Sequence, residues 1–131
     1  MILLSAALLF GADTWSDKDL IQPDQLARDS KTPLVIHVGF SVLYRAGHIT
    51  GAQSAGPASK AQGIADLKKL VADQPLDREI VLYCGCCSDQ CPNTRRAFAA
   101  LREMGFTHVR AMAVTENFKA DWVEKGYPTE K

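Results

Sequence analysis

The chain has 131 residues, and its 15 Lys and Arg residues balance its 15 Asp and Glu residues. This length suits one domain, and the 47% hydrophobic and 23% charged fractions are those of a globular protein rather than a disordered or fibrous one. The zero net charge argues against a broad nucleic-acid-binding surface, because such a surface needs clustered Lys and Arg.

The chain opens with an apolar run from Ile2 to Ala12. The run is too short to span a bilayer, which takes about 20 apolar residues. It has the length of the hydrophobic part of a signal peptide, although no Lys or Arg precedes it. Two interpretations stay open: a signal peptide, which predicts a periplasmic or exported protein, and a docking helix on a cytoplasmic one. We predict an N-terminal apolar segment over residues 1–19 and a folded domain over residues 20–131.

The first half of that domain alternates helical and strand patterns. A helix is predicted to start at Gln22 and to end before Pro33, and an apolar, β-branched run over residues 34–38 predicts a buried strand. Residues 41–46 suit a short helix, and a loop rich in Ser, Gly and Pro surrounds Gly56. This order of elements is typical of an α/β domain.

The alternation continues to the C-terminus. Apolar residues recur at helical spacing in three further segments, and two more apolar runs predict buried strands. In chain order, the predicted elements are a helix over 61–72, a strand over 79–83, a helix around 97–101 that ends at Gly105, a strand over 108–112, and a last helix carrying Phe118 and Trp122. The pattern predicts an α/β fold with a mainly parallel central sheet and helices on both faces. Such sheets bind ligands beyond the carboxyl ends of their strands.

All four cysteines follow the predicted strand over 79–83, at Cys84, Cys86, Cys87 and Cys91. A disulfide framework would join distant segments, which thiols so close in sequence cannot do. A helix is predicted to begin near Pro92, and its unpaired N–H groups and dipole favour anions. This field is expected to lower the pKa of a nearby thiol, so the loop combines a nucleophile with an anion site.

The cysteines leave two other interpretations open. Cys84, Cys86, Cys87 and Cys91 supply enough thiolates for zinc or copper(I), although their spacing is unlike that of paired C-x2-C sites. Alternatively, Cys84 forms a disulfide with a resolving thiol, for which Cys87 and Cys91 are the candidates. Three or four converging sulfur atoms would favour the metal site, and an isolated Cys84 among backbone N–H groups would favour sulfur chemistry. A phosphatase is disfavoured, because no cysteine precedes Arg95 or Arg96 at the spacing of phosphatase loops.

Several segments in the same order resemble the single-domain rhodanese-like sulfurtransferases. The resemblance covers about residues 20 to 130 and rests on the sequence YRAGHITGA at Tyr44–Ala52, the strand that ends at Cys84, the segment over residues 99–106 and the ending from Trp122 to Pro128. It implies a rhodanese-like three-layer fold. One departure is the loop after Cys84, which is longer than in the family and rich in cysteine.

The resemblance also implies the chemistry. Cys84 would carry a persulfide, formed from thiosulfate or another sulfane donor, and would pass its sulfur to cyanide or to a thiol. The substrate would be bound by the loop and a nearby cation: Gly85, Cys86, Cys87, Ser88 and Arg95. The expected partners are a small sulfur-containing anion or low-molecular-weight thiol and a protein thiol acceptor; no cofactor, nucleic acid or stable membrane span is expected. His37 is predicted to be a buried histidine with satisfied hydrogen bonds, and His48 to be structural.

Overall fold

A computed structural model describes residues 15–131. Its centre is a sheet of five strands in the order β1-β6-β5-β2-β4, and all neighbouring strands are parallel. The strands are β1 (Leu20–Ile21), β2 (Leu34–His37), β4 (Gln53–Ser54), β5 (Ile80–Tyr83) and β6 (Val109–Met112), and β3 (His48–Ile49) pairs antiparallel with β7 (Thr129–Glu130) in a second, small sheet. The predicted α/β class and parallel sheet are confirmed. The apolar run of residues 2–12 lies outside the described residues.

Helices cover both faces of the sheet, as predicted. They are α1 (Pro23–Asp29), α2 (Ser41–Ala46), α3 (Ala61–Leu70) and α4 (Pro92–Glu103). Both α1 and α4 begin with a proline in the first turn, where its missing N–H is not needed. Gly105 follows α4 with a φ of 99°, the left-handed conformation expected after a helix end.

The central strands are buried on both faces, so their side chains alternate between two apolar cores. Leu34 and Ile36 pack with Leu67 of α3 and Leu101 of α4 on one face. Val35, Val81 and Tyr83 pack on the other face with Leu26 of α1 and with Trp122. This burial explains why β2 and β5 are continuous apolar runs rather than alternating ones.

One predicted element differs. The segment with Phe118 and Trp122 is a single π-helical turn over Lys119–Val123 rather than a longer α-helix. Trp122 is buried there, and its indole N–H donates to the carbonyl oxygen of Pro128 at 3.0 Å. This tertiary anchoring replaces helix length as the source of order. Within residues 15–131, no helix is long and apolar enough to cross a membrane.

A candidate thiol site at the end of the central strand

Cys84 follows β5 directly and is buried, with 4% of its surface exposed. The parallel register places the ends of β2 and β5 side by side, with His37 opposite Tyr83. Gly39 lies against this position, because a Cβ on Gly39 would overlap the carbonyl oxygen of Cys84 and come within 3.1 Å of its Sγ. The sheet therefore delivers the thiol to its carboxyl edge, where ligands bind in this class of fold.

Cys91 meets Cys84 from the opposite side. It is the N-cap residue of α4 and is buried, and its Sγ lies 3.2 Å from the Sγ of Cys84. Its backbone is held by a hydrogen bond from its own N–H to the carbonyl oxygen of Ser88 at 3.1 Å. The sulfur atom that follows the strand and the sulfur atom that caps the helix are thus in direct contact.

The pKa values of the two thiols move in opposite directions. Burial raises the pKa of Cys84 to about 12, which corrects the expectation of a lowered value for this residue. The pKa of Cys91 is lowered: burial opposes ionisation there, but hydrogen bonds from the thiols of Cys87 and Cys84 and from the backbone N–H groups of Asn93 and Thr94 outweigh it. The helix start acts on the cysteine that caps it, because such fields fall off within the first turn.

Asn93 is the site residue that the sequence interpretation missed. Its side-chain amide nitrogen donates to the Sγ of Cys84 at 3.5 Å and to the Sγ of Cys91 at 3.7 Å. Its carbonyl oxygen accepts a hydrogen bond from the backbone N–H of Ser59 at 2.8 Å, which fixes the orientation of the amide. The only sequence signal was its position two residues after Cys91, inside the first turn of the helix.

Cys87 is the third member of a thiol cluster. The Sγ atoms of Cys84, Cys87 and Cys91 all lie within 4.8 Å of one another, while Cys86 is exposed and outside the group. Cys87 is exposed, and its pKa is raised by desolvation and by hydrogen bonds with Cys91 and Cys86. Convergence of three thiols is the geometry that the metal alternative requires, and contact between Cys84 and Cys91 is the geometry that the disulfide alternative requires.

The loop between Cys84 and α4 contains unpaired backbone donors within the described part of the chain. Within residues 15–131, the N–H groups of Gly85, Cys86, Cys87 and Ser88 have no hydrogen-bond partner. The far end of the loop is fixed, since Asp89 donates from its N–H to the carbonyl oxygen of Val114 at 2.9 Å and accepts from the N–H of Val114 at 3.0 Å. The middle of the loop is held as well, since the carbonyl oxygen of Cys86 accepts from the N–H of Phe118 at 3.4 Å. Unpaired N–H groups of successive residues are donors that an anion can use.

His37 lies beneath this loop and differs from the prediction. It is fully buried, and within the described part of the chain neither ring nitrogen has a hydrogen-bond partner. Burial lowers its pKa to about 4, so the ring is neutral at pH 7. Gly85 covers it with a φ of 84°, and a Cβ there would overlap Nε2 of His37. The histidine is therefore a packing partner of the loop, not a satisfied polar group.

The two arginines of α4 lie at the rim. The guanidinium of Arg95 donates to the side-chain oxygen of Gln90 at 2.7 Å and lies over the ring of Trp15. Arg96 donates to the carbonyl oxygen of Ser59 at 3.2 Å. Both hydrogen bonds are exposed. These contacts place positive charge beside the loop rather than on Cys84.

Two kinds of space adjoin the loop. The pocket that contains Cys84 has no room for a water molecule, whereas an open, largely apolar groove of about 660 Å³ borders Gly85. The groove is lined by Leu43, Phe118, Val123 and Thr129. His48, expected to be structural, lines neither space: its Nδ1 contacts the carbonyl oxygen of Tyr44 at 2.8 Å, its ring stacks on Tyr44, and its Nε2 lies 3.3 Å from the carboxylate of Glu130.

The comparison with protein families decides the fold family. The family model of the rhodanese-like domain matches residues 22–114 of the sequence, which is most of the chain. The chain belongs to the rhodanese-like domain family. The resemblance inferred from the sequence is therefore confirmed, and Cys84 lies inside the matched region. A search of curated proteins found no match.

Solved structures agree on the fold. A rhodanese-like domain from Anabaena sp. is 28% identical, with a TM-score of 0.57 and coverage of 76% of this chain and 99% of that one. A protein from Bacillus halodurans is 18% identical, with a TM-score of 0.67 and coverage of 86% and 77%. A protein from Rhodopseudomonas palustris, described as a possible tyrosine phosphatase, is 17% identical, with a TM-score of 0.60 and coverage of 86% and 84%.

Proposed function

We propose that this rhodanese-like domain is a sulfurtransferase that carries a sulfane sulfur as a persulfide on Cys84. The observation that supports this most is the placement of the Cys84 thiol, at the end of the central strand and at the start of a loop in which the N–H groups of Gly85 to Ser88 have no partner within residues 15–131. A persulfide anion and the sulfonate of thiosulfate are both anions, so the same donors suit both. Arg95 adds positive charge at the loop's rim.

Cys91 is the base that deprotonates Cys84 in this proposal. A thiol with a raised pKa is a poor nucleophile, because the thiolate is the reactive form. The pKa of Cys91 is lowered and its Sγ lies 3.2 Å from that of Cys84, so Cys91 in its thiolate form would take the proton as Cys84 attacks. With thiosulfate, the Cys84 sulfur bonds to the outer sulfur, the sulfur–sulfur bond of the donor breaks, and sulfite leaves. The products are the Cys84 persulfide anion, sulfite and a protonated Cys91.

The second substrate is a sulfur acceptor, namely cyanide in an assay or a low-molecular-weight or protein thiol. The space at Cys84 is too small for a donor, so we infer that the loop shifts when a donor binds. The apolar groove beside Gly85 is the open approach to that loop.

Intact mass spectrometry tests the proposal. The protein, reduced and then freed of reductant, is incubated with thiosulfate, polysulfide, glutathione persulfide or mercaptopyruvate in turn. We expect one donor to add a sulfur atom or to release sulfite or sulfide stoichiometrically, and Cys84→Ser to abolish the reaction. If the whole panel leaves the wild-type protein unchanged, the proposal fails.

A second candidate function rests on the thiol cluster of Cys84, Cys87 and Cys91. Three thiolates within 4.8 Å of one another suit a soft metal ion such as copper(I), or zinc with a fourth ligand. Under this alternative, the protein purified in reducing buffer contains a stoichiometric metal that resists chelators. Metal-free protein with all its thiols open to titration would count against it.

A further inference from the structure

The contact between Cys84 and Cys91 gives a persulfide on Cys84 a route of breakdown within the protein. Their Sγ atoms are 3.2 Å apart and both side chains are buried, so the second sulfur is already within reach of the first. Disulfide exchange proceeds through such an attack of one sulfur on another. A persulfide is a disulfide whose outer sulfur is the leaving group.

The other candidate thiol is less suited to this attack. Cys87 is exposed, whereas Cys91 is fixed by its N-cap position and by its hydrogen bond to Ser88. The amide of Asn93 donates to both Cys84 and Cys91 and thus holds these two sulfur atoms together. The geometry therefore distinguishes between two thiols that the sequence leaves equivalent.

We propose that Cys91 resolves the Cys84 persulfide to an internal Cys84–Cys91 disulfide with release of hydrosulfide, so that the second substrate is a dithiol reductant. This inference rests on the proposed function. The sulfur of Cys91 bonds to the inner sulfur of the persulfide, and the bond to the outer sulfur breaks. The outer sulfur takes the electron pair of that bond and the proton that Cys91 received from Cys84, and it leaves as hydrosulfide.

A dithiol then completes the cycle. It reduces the Cys84–Cys91 disulfide to two thiols and becomes a cyclic disulfide itself, so atoms and electrons balance. A dithiol suits this step better than a monothiol, because its second sulfur resolves the mixed disulfide intramolecularly. The exposed Cys87 lies within 4.8 Å of both buried sulfurs and marks the face from which the reductant reaches them.

A single-turnover experiment without reductant or oxygen tests this route. Wild type, Cys91→Ser and Cys87→Ser are mixed with the sulfane donor that reacts, and hydrosulfide, intact mass and disulfide-linked peptides are measured. We expect wild type and Cys87→Ser to release one hydrosulfide per chain and to contain a Cys84–Cys91 link. Cys91→Ser lacks the proposed base as well as the resolving thiol, so we expect it to load sulfur more slowly. The sulfur that it gains is expected to stay on Cys84, and no hydrosulfide is released. Dithiothreitol is then expected to restore turnover in the wild type.

The outcomes separate this inference from the proposed function. If the wild type keeps a stable sulfur adduct, links Cys84 to Cys87, or releases hydrosulfide without a disulfide, the resolving role of Cys91 is wrong while the persulfide stands. If neither wild type nor Cys91→Ser reacts with any donor, both proposals fail. The peptide map of the wild-type protein decides the question even if Cys91→Ser does not fold.

Discussion

The end of β5 and the start of α4 meet at the sulfur atoms of Cys84 and Cys91, yet the pKa values of the two thiols are shifted in opposite directions. Cys84, at the end of β5, is buried, and this burial raises its pKa to about 12. Cys91, at the start of α4, is also buried, but two thiols and two backbone N–H groups donate to it and its pKa is lowered. The comparison indicates that donors facing a buried thiol can together outweigh the effect of burial on its pKa.

The strand side of the comparison depends on Gly85. Alanine there adds a left-handed backbone strain of about 1 kcal/mol and an overlap with His37 that costs about 3 kcal/mol more. We expect Gly85→Ala to lower the free energy of unfolding by the sum and to abolish sulfur loading. Urea unfolding measures the first effect. The matched control is Gly51→Ala, which has a φ of 85° and no atom within 4 Å of the added Cβ, so it shows the strain alone.

Stability at low pH tests the burial of His37, which also belongs to the strand side of the site. The pKa of this histidine is about 4 in the folded chain against an ordinary value of 6.5, so the unfolded chain binds a proton first as the pH falls. The free energy of unfolding should therefore decrease from pH 6.5 to pH 4, by about 3 kcal/mol. Urea unfolding across this range measures the slope. In His37→Asn this part of the slope should disappear; a slope that persists would show that other groups cause it.

The helix side depends on Asn93. Its amide lowers the pKa of Cys84, so its removal makes that thiol harder to ionise. We expect Asn93→Ala to slow persulfide formation about tenfold at pH 7, and Asn93→Asp to slow it more because a carboxylate repels the thiolate. Stopped-flow kinetics with the reacting donor measures the rate. Thr94→Val is the control from the next position, since the buried Thr94 hydroxyl has no partner within residues 15–131. Equal rates in Asn93→Ala and wild type would contradict the assigned role.

The smallest expected effect belongs to Arg95. It lies at the exposed rim, so its attraction for an anionic donor is screened and amounts to about 1 kcal/mol. Arg95→Gln should raise the KM for thiosulfate about fivefold at low salt, and the difference should shrink in high salt. Arg96→Gln is the comparison variant, because Arg96 is engaged with Ser59 instead. A salt-independent loss of kcat in Arg95→Gln would indicate a direct role in the reaction.

Much of the fold could be predicted from local pattern. The continuous apolar runs of β2 and β5 required a sheet covered on both faces, and the prolines and Gly105 marked the ends of helices. The position of Cys84 at the carboxyl edge followed from strand order alone. The C-terminal π-helical turn was not predictable in this way, because Trp122 is held by Pro128 and the core rather than by helical propensity.

The sequence by itself determined that a parallel α/β sheet presents a cysteine-rich loop before a helix start. The reason is that hydrophobic periodicity, the Gly and Pro residues at the ends of elements and the residue types are all local properties. Tertiary structure alone decided which thiols meet and in which direction the pKa of each one is shifted. That outcome depends on distances between segments: the 3.2 Å from Cys84 to Cys91, the amide of Asn93 held by Ser59, and the packing of His37 under Gly85. A thiol's pKa is set by burial and by the donors within a few ångströms, and neither is written in the order of residues along the loop.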